Sequence, residues 1–176
     1  MFTMRYTFIP VICAIALVTY VSCMKDDTDR TVFVNSTDSH FVTMASYSNH
    51  AEIDGGYLAS GKGARDSVKM FAQMMITDHM AAQAVLDSIA EHLKMTIPQI
   101  SDTAHIAALS ILAGLSGPGF DTAYINGQVN DHQAAIKLYE DELKNGSNQQ
   151  IKDFAGAQLP KIKRHYTMAT AIAKSQ

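Results

Sequence analysis

Cysteine is scarce in this chain, which has two among 176 residues. Cys13 lies inside an N-terminal apolar run, so a processed chain would keep Cys23 alone and could form no internal disulfide, even in an oxidising compartment. Positive charge is also in short supply. Fourteen Lys and Arg against seventeen Asp and Glu give a net charge of −3, with no basic stripe interleaved with aromatics, which argues against a nucleic-acid partner. No apolar run reaches the ~20 residues that a membrane-spanning helix needs, and strand-like alternation is nearly absent. Catalytic signatures are missing too. Pro118 occupies the last position of what would be a nucleophile elbow around Ser116, and Gly61-Lys62-Gly63 lacks the strand and longer glycine spacing of a phosphate loop. An enzyme therefore finds no support, and no catalytic residue is assigned.

What is present begins with a targeting segment. Arg5 precedes an apolar run from Phe8 to Val21, which ends at Val21-Ser22-Cys23 and turns polar at Lys25-Asp26-Asp27. This resembles a bacterial lipoprotein signal over residues 1–22, with Tyr20 where Leu is usual and Cys23 as the lipidated residue. An ordinary signal peptide and an uncleaved anchor are the alternatives. The acidic stretch after Cys23 is similar to the export tag of surface lipoproteins in Bacteroidetes-type bacteria. The expectation is a lipid-anchored protein of a Gram-negative cell envelope. It would sit in the outer membrane, facing the periplasm or the cell surface, with the membrane as partner.

Residues 23–37 are rich in Asp, Thr, Ser and Asn and read as a flexible tether, leaving 38–174 as one domain. Heptad-like spacing predicts four long helices at about 39–61, 66–94, 121–145 and 148–174, with a shorter, strongly apolar one at 102–114. Asp38 or Ser39 is expected to cap the first, and Asp121 the third long helix. Gly114, Gly117, Pro118 and Gly119 read as a loop. Gly55-Gly56 weakens the first helix by about 1 kcal/mol per Gly, with close helix approach as compensation. Pro160 should kink the last helix and free the Gly156 carbonyl. The fold class is all-α: a four-helix bundle with a short extra helix in the crossover.

Four polar residues interrupt the apolar seams at mid-helix: Glu52, His79, His132 and His165. Unpartnered polar groups in a core cost roughly 2–7 kcal/mol each, so these should satisfy one another or share a ligand. Glu52 lies 12 residues before Ala64 and His79 15 after it; His132 lies 14 before Gly146 and His165 19 after it. At ~1.5 Å per residue each pair shares a level to within about 4–7 Å. Three imidazoles and a carboxylate could bind zinc, copper, iron or manganese. The same groups could equally form a hydrogen-bonded layer that fixes register. Asp78 and Asp131 could steady a His on a neighbouring helix. Met75 and Met168 could supply thioethers to Cu(I), although Met commonly fills bundle cores. His40, His50, His92 and His105 lie off the seams. Glu140-Asp141-Glu142 and Lys161 with Lys163-Arg164 read as solvated faces.

The segments Phe71-Ala72-Gln73-Met74-Met75-Ile76-Thr77-Asp78-His79, Phe120-Asp121-Thr122-Ala123-Tyr124-Ile125 with Asp131-His132, and Phe154-Ala155, Leu159-Pro160 and His165 resemble blocks of the bacterial domain-of-unknown-function 4142 family. Glu52, Gly56 and Leu58-Ala59 resemble its first helix, so the likeness covers roughly residues 38–173. The resemblance implies a ferritin-like bundle in an exported protein and no established activity. Di-iron chemistry of the ferritin kind needs Glu-x-x-His on two helices, and this chain has none. The leading expectation is a non-enzymatic envelope bundle with a buried Glu/His core. The alternatives are a metal-binding protein using the quartet and a protein-interaction scaffold.

Overall fold

The computed structural model describes residues 33–175. Residues 1–22, Cys23 and the tether up to residue 32 lie outside the described residues. Five helices follow in order: α1 (Ser36–Lys62), α2 (Asp66–His92), α3 (Thr103–Ala113), α4 (Gly117–Asn145) and α5 (Gln149–Lys174). No described helix is long and apolar enough to cross a membrane.

Contacts at the helix ends fix the topology. Asn35 at the start of α1 donates to the Asn145 carbonyl at the end of α4, and Arg65 at the start of α2 donates to Ser175 after α5. His92 at the end of α2 meets Gln150 at the start of α5. Each long helix is thus antiparallel to its two neighbours, and the order is up, down, down, up. The segment carrying α3 makes the long crossover that this order requires.

The helix ends differ from the sequence reading for local reasons. The N-cap of α1 is Asn35, whose side chain accepts from the Asp38 amide while Asp38 accepts from the Asn35 amide, a reciprocal capping box. Residues 36 and 37, expected in the tether, are therefore helical. Helix α2 stops at His92 rather than Lys94, because Lys94 takes a left-handed φ of 56° and the Met95 amide turns back to the Ala90 carbonyl. Helix α4 starts at Gly117 rather than Asp121. Pro118 fits its first turn, where no amide donor is needed. Asp121 caps a different helix, accepting from the Ala64 and Arg65 amides at the start of α2 at 2.9 Å each. Pro160 lies inside α5, which continues through it to Lys174.

The interior is an apolar cluster at each end with a polar layer between. Phe41, Val42, Leu86, Tyr139, Ile151 and Phe154 build one cluster; Val68, Phe71, Met75, Phe120, Tyr124 and Ile125 build the other. Between them Asn49, Glu52, His79, Gln83, Gln128, His132 and His165 are all buried. The glycine pair divides its labour. A Cβ on Gly56 would lie 2.8 Å from Ile76 Cγ1 and 3.0 Å from the Ala72 carbonyl, so Gly56 sets the approach of α1 to α2. Gly55 faces ordinary van der Waals space. Gly56→Ala is therefore expected to cost about 1–3 kcal/mol in a urea melt, and Gly55→Ala to cost less.

Candidate metal centre

Three of the four misfit residues converge. His79 on α2, His132 on α4 and His165 on α5 each offer one ring nitrogen, and the three nitrogens lie within 4.8 Å of one another. His132 Nε2 and His165 Nδ1 are 3.3 Å apart. Exposure is 1% for His132 and His165 and 7% for His79. Burial dominates their titration. The His132 and His165 imidazoles are pushed down to about 4, and burial with two imidazole neighbours holds His79 well below its ordinary range. All three rings are neutral near pH 7.

A neutral imidazole carries one N–H and one lone pair, and the partner of one nitrogen decides which is which. His132 Nδ1 faces the Gln128 carbonyl at 2.9 Å, which can only accept, so Nδ1 carries the proton. His165 Nε2 faces the Asp78 carboxylate at 2.9 Å and donates likewise, with Arg164 pairing the same Asp78 oxygen at 3.0 Å. For His79 the answer comes through a chain of amides. The Ser46 hydroxyl donates to the Pro98 carbonyl, Gln83 Nε2 donates to Ser46 and to Asp87, and Asn49 Nδ2 donates to Gln83 Oε1. Asn49 Oδ1 therefore faces His79 Nδ1 at 2.9 Å as an acceptor, and Nδ1 carries the proton. Each ring donates outward and turns a bare lone pair inward.

Three inward lone pairs repel one another, and His79 Nε2 is buried with no hydrogen-bond partner. A cation at the centre would satisfy all three. With ligand bonds of about 2.0–2.1 Å, nitrogens around one ion sit roughly 3.3–3.6 Å apart, so the widest spacing must close by up to about 1.5 Å. The outward acceptors Asn49, Gln128 and Asp78 would fix ring orientation and raise ligand basicity, as supporting groups around metal-bound histidines do. A void of about 10 Å³ borders His79 and His165, no larger than one water.

The other sequence candidates sit elsewhere. Glu52 is buried at the same depth but lies against the Nδ1 edge of His132, at 3.6 Å, away from the converging nitrogens. Its Oε2 accepts from Gln128 Nε2 at 2.6 Å, and burial pushes its carboxyl up to about 8. A quartet sharing one ligand is thus replaced by a trio of imidazoles and a separate carboxylate. Asp131 is half-buried, makes no hydrogen bond to a histidine among the described residues and lines a cavity with Glu52 and His105. Met75 is packed in an apolar cluster and Met168 is 39% exposed, which assigns them to core and surface. Glu142, read as solvated, is wholly buried and its carboxyl is pushed up to about 8, first by burial and then by Asp38. The residues missed by the sequence reading are the amides Asn49, Gln83 and Gln128. They carry no charge or motif, and their one available signal was position on a seam.

The fold is shared with solved structures of little sequence likeness. A DUF305 fragment from Deinococcus radiodurans superposes with a TM-score of 0.72 at 9% identity, covering 81% of this chain and 99% of that one. A DUF305 chain from Streptomyces coelicolor, named as a candidate secreted protein, gives 0.66 at 11% identity, covering 78% and 91%. A search of curated proteins found no significant match. Residues 24–172 match the family model described as a domain of unknown function, DUF4142, and the chain belongs to that family.

Proposed function

We propose that this chain is an exported metal-binding protein whose trio His79, His132 and His165 holds one borderline divalent ion, Zn²⁺ or Cu²⁺. The observation that carries the reading is the direction of the hydrogen bonds. Every outward nitrogen is committed as a donor, so three lone pairs meet in a buried space, and His79 Nε2 has no hydrogen-bond partner there. Three imidazoles without a thiolate suit these ions better than Mg²⁺ or Ca²⁺, which prefer oxygen. Binding is favoured over turnover because a void of about 10 Å³ leaves no room for a substrate beside the ion. An anchor at Cys23 would hold the bundle at a membrane of the cell envelope, which the lipoprotein-like N-terminus supports.

The test is a titration of the purified chain, stripped with a chelator, against Zn²⁺ and Cu²⁺. One equivalent is expected to bind, and at 1,000 times Kd the folded state gains about 4 kcal/mol. His132→Ala should weaken binding at least about 100-fold, and Asp78→Ala about 10–100-fold through loss of the His165 partner. Absence of saturable binding by either ion, or binding indifferent to His132→Ala, would overturn the reading and leave a metal-free polar layer. For the anchor, Cys23→Ser should abolish acylation and release the protein from the membrane fraction; retained membrane association would refute it.

A further inference from the structure

Helix α3 is strongly apolar, yet none of its residues is buried. A helix with this composition normally packs tightly; this one lies over a cavity of about 230 Å³. The trough beneath it is cut by small residues at one-turn spacing, Ala51 and Gly55 on α1 and Ala123 and Gly127 on α4. Leu109 and Leu112 of α3, both half-buried, form part of its roof. The walls are apolar, and the polar groups are few.

Those polar groups are unbalanced. Glu52, Asp131, Gln128, Tyr124 and His105 line the cavity, and no Lys or Arg is among its lining residues. Gln128 spends its amide N–H on Glu52, so its buried Oε1 is left without a donor. The buried Tyr124 hydroxyl also lacks a partner, and His105 Nδ1 is committed to Asp102 at 2.7 Å. Two carboxyl groups and an orphaned amide oxygen thus line a space with apolar walls and no Lys or Arg. A bare metal ion does not fit the arrangement. Among the described residues only the histidine trio brings three such ligand atoms within 4.8 Å of one another.

We infer that the cavity under α3 is a binding site for a small organic cation, an ammonium group carried on an apolar body. The ammonium would donate to Gln128 Oε1 and to the Asp131 carboxylate, beside the Glu52 carboxyl, and the body would lie along the small-residue trough beneath Leu109 and Leu112. A cavity of 150 Å³ holds a benzene ring, so this one accommodates roughly nine non-hydrogen atoms. Charge complementarity sets the class of ligand, and the apolar lining sets its shape. None of the three histidines lines this cavity, and Gln128 stands between the two sites, with its carbonyl on His132 and its side chain in the cavity lining.

The test uses three probes of one size and different charge: phenethylammonium, 2-phenylethanol and phenylacetate, titrated into the full chain by calorimetry or NMR. Phenethylammonium is expected to saturate at one site and to bind at least ~10-fold tighter than the alcohol, with the carboxylate weakest. Asp131→Asn should cost about 10-fold, and Ala108→Phe, at an exposed position on α3 that lines the cavity, should abolish binding while leaving the Zn²⁺ titration unchanged. Thermal melts establish that both variants are folded. Absence of saturation, equal affinity for the three probes, preference for the carboxylate, or indifference to both substitutions would each overturn the proposal.

Discussion

Replacing Asp38 by alanine is expected to cost about 3–5 kcal/mol and to lower the melting temperature by roughly 10–15 °C. Asp38 is wholly buried, and its two oxygens accept four hydrogen bonds: from the Asn35 amide at 2.7 Å, the Ser147 amide and hydroxyl at 3.0 and 2.7 Å, and the Asn148 amide at 3.1 Å. One carboxylate therefore satisfies orphan donors at the starts of both α1 and α5 and closes the end of the bundle where four helices meet. Alanine would leave those donors without their partner, a larger loss than a missing contact. The hydrogen bonds hold the Asp38 carboxyl below its ordinary range even though burial works against them. Asp38→Asn should recover no more than about half of the loss, because its amide N–H would oppose two of the donors. A urea melt of the three proteins checks both statements; equal stability of all three would show that the solvent can replace Asp38.

The bundle was legible in the sequence because its signals repeat over many turns. The seams through Phe71, Met75 and Leu86, or through Ile151 and Ile162, persist long enough that no single exception obscures them. The histidines were legible for the opposite reason: each is an isolated exception in such a seam. Partner identity was harder, because it depends on differences of one turn. Asn49 lies 15 residues before Ala64 and His79 15 after it, so equal counting from the turn selects Asn49 as the neighbour of His79, not Glu52. Glu52 is one turn further along and meets α4 instead. Burial of Glu142 was not legible at all. It follows from the α4–α5 turn, where a Cβ on Gly146 would collide with Glu142 Oε1, so the glycine makes room for a carboxyl folded beneath it. Helix α3 misled in composition: its apolar residues face a cavity and solvent, and periodicity registers apolar faces without saying what covers them.

The polar layer also dictates how stability should vary with pH, and here opposing groups must be weighed together. In the presence of a chelator, the chain is expected to be most stable near pH 6.5. His79, His132 and His165 have folded-state values below the ordinary 6.5, two of them at about 4, so the unfolded chain takes up protons first as pH falls. Their contribution is fully present above pH 6.5 and is lost toward pH 4, at up to about 1.4 kcal/mol per group per pH unit. Asp78 beside His165 and Asp131 near His132 reduce this effect, and Lys161 near His79 adds to it. Glu52 and Glu142 act in the other sense. Their folded-state values are raised from 4.5 to about 8, so their contribution is fully present below 4.5 and is lost as pH rises toward 8. Between 4.5 and 6.5 three histidines outweigh the two glutamates by about one proton, which gives an acid arm of up to about 1.4 kcal/mol per unit, less where Asp131, also raised by burial, keeps its proton in the fold. From 6.5 to 8 the carboxyls act alone, which gives an alkaline arm of up to about 4 kcal/mol in all. Glu142→Gln should remove about half of the alkaline arm and leave the acid arm steeper. His165→Leu should cancel most of the net acid arm and leave the alkaline one as it was. A bound Zn²⁺ would steepen the acid arm, since it keeps the imidazoles unprotonated in the folded state to lower pH. Urea melts from pH 5 to 9, with and without the ion, read all of these slopes, and a flat metal-free profile would show that water reaches the layer and relieves the burial that sets it apart.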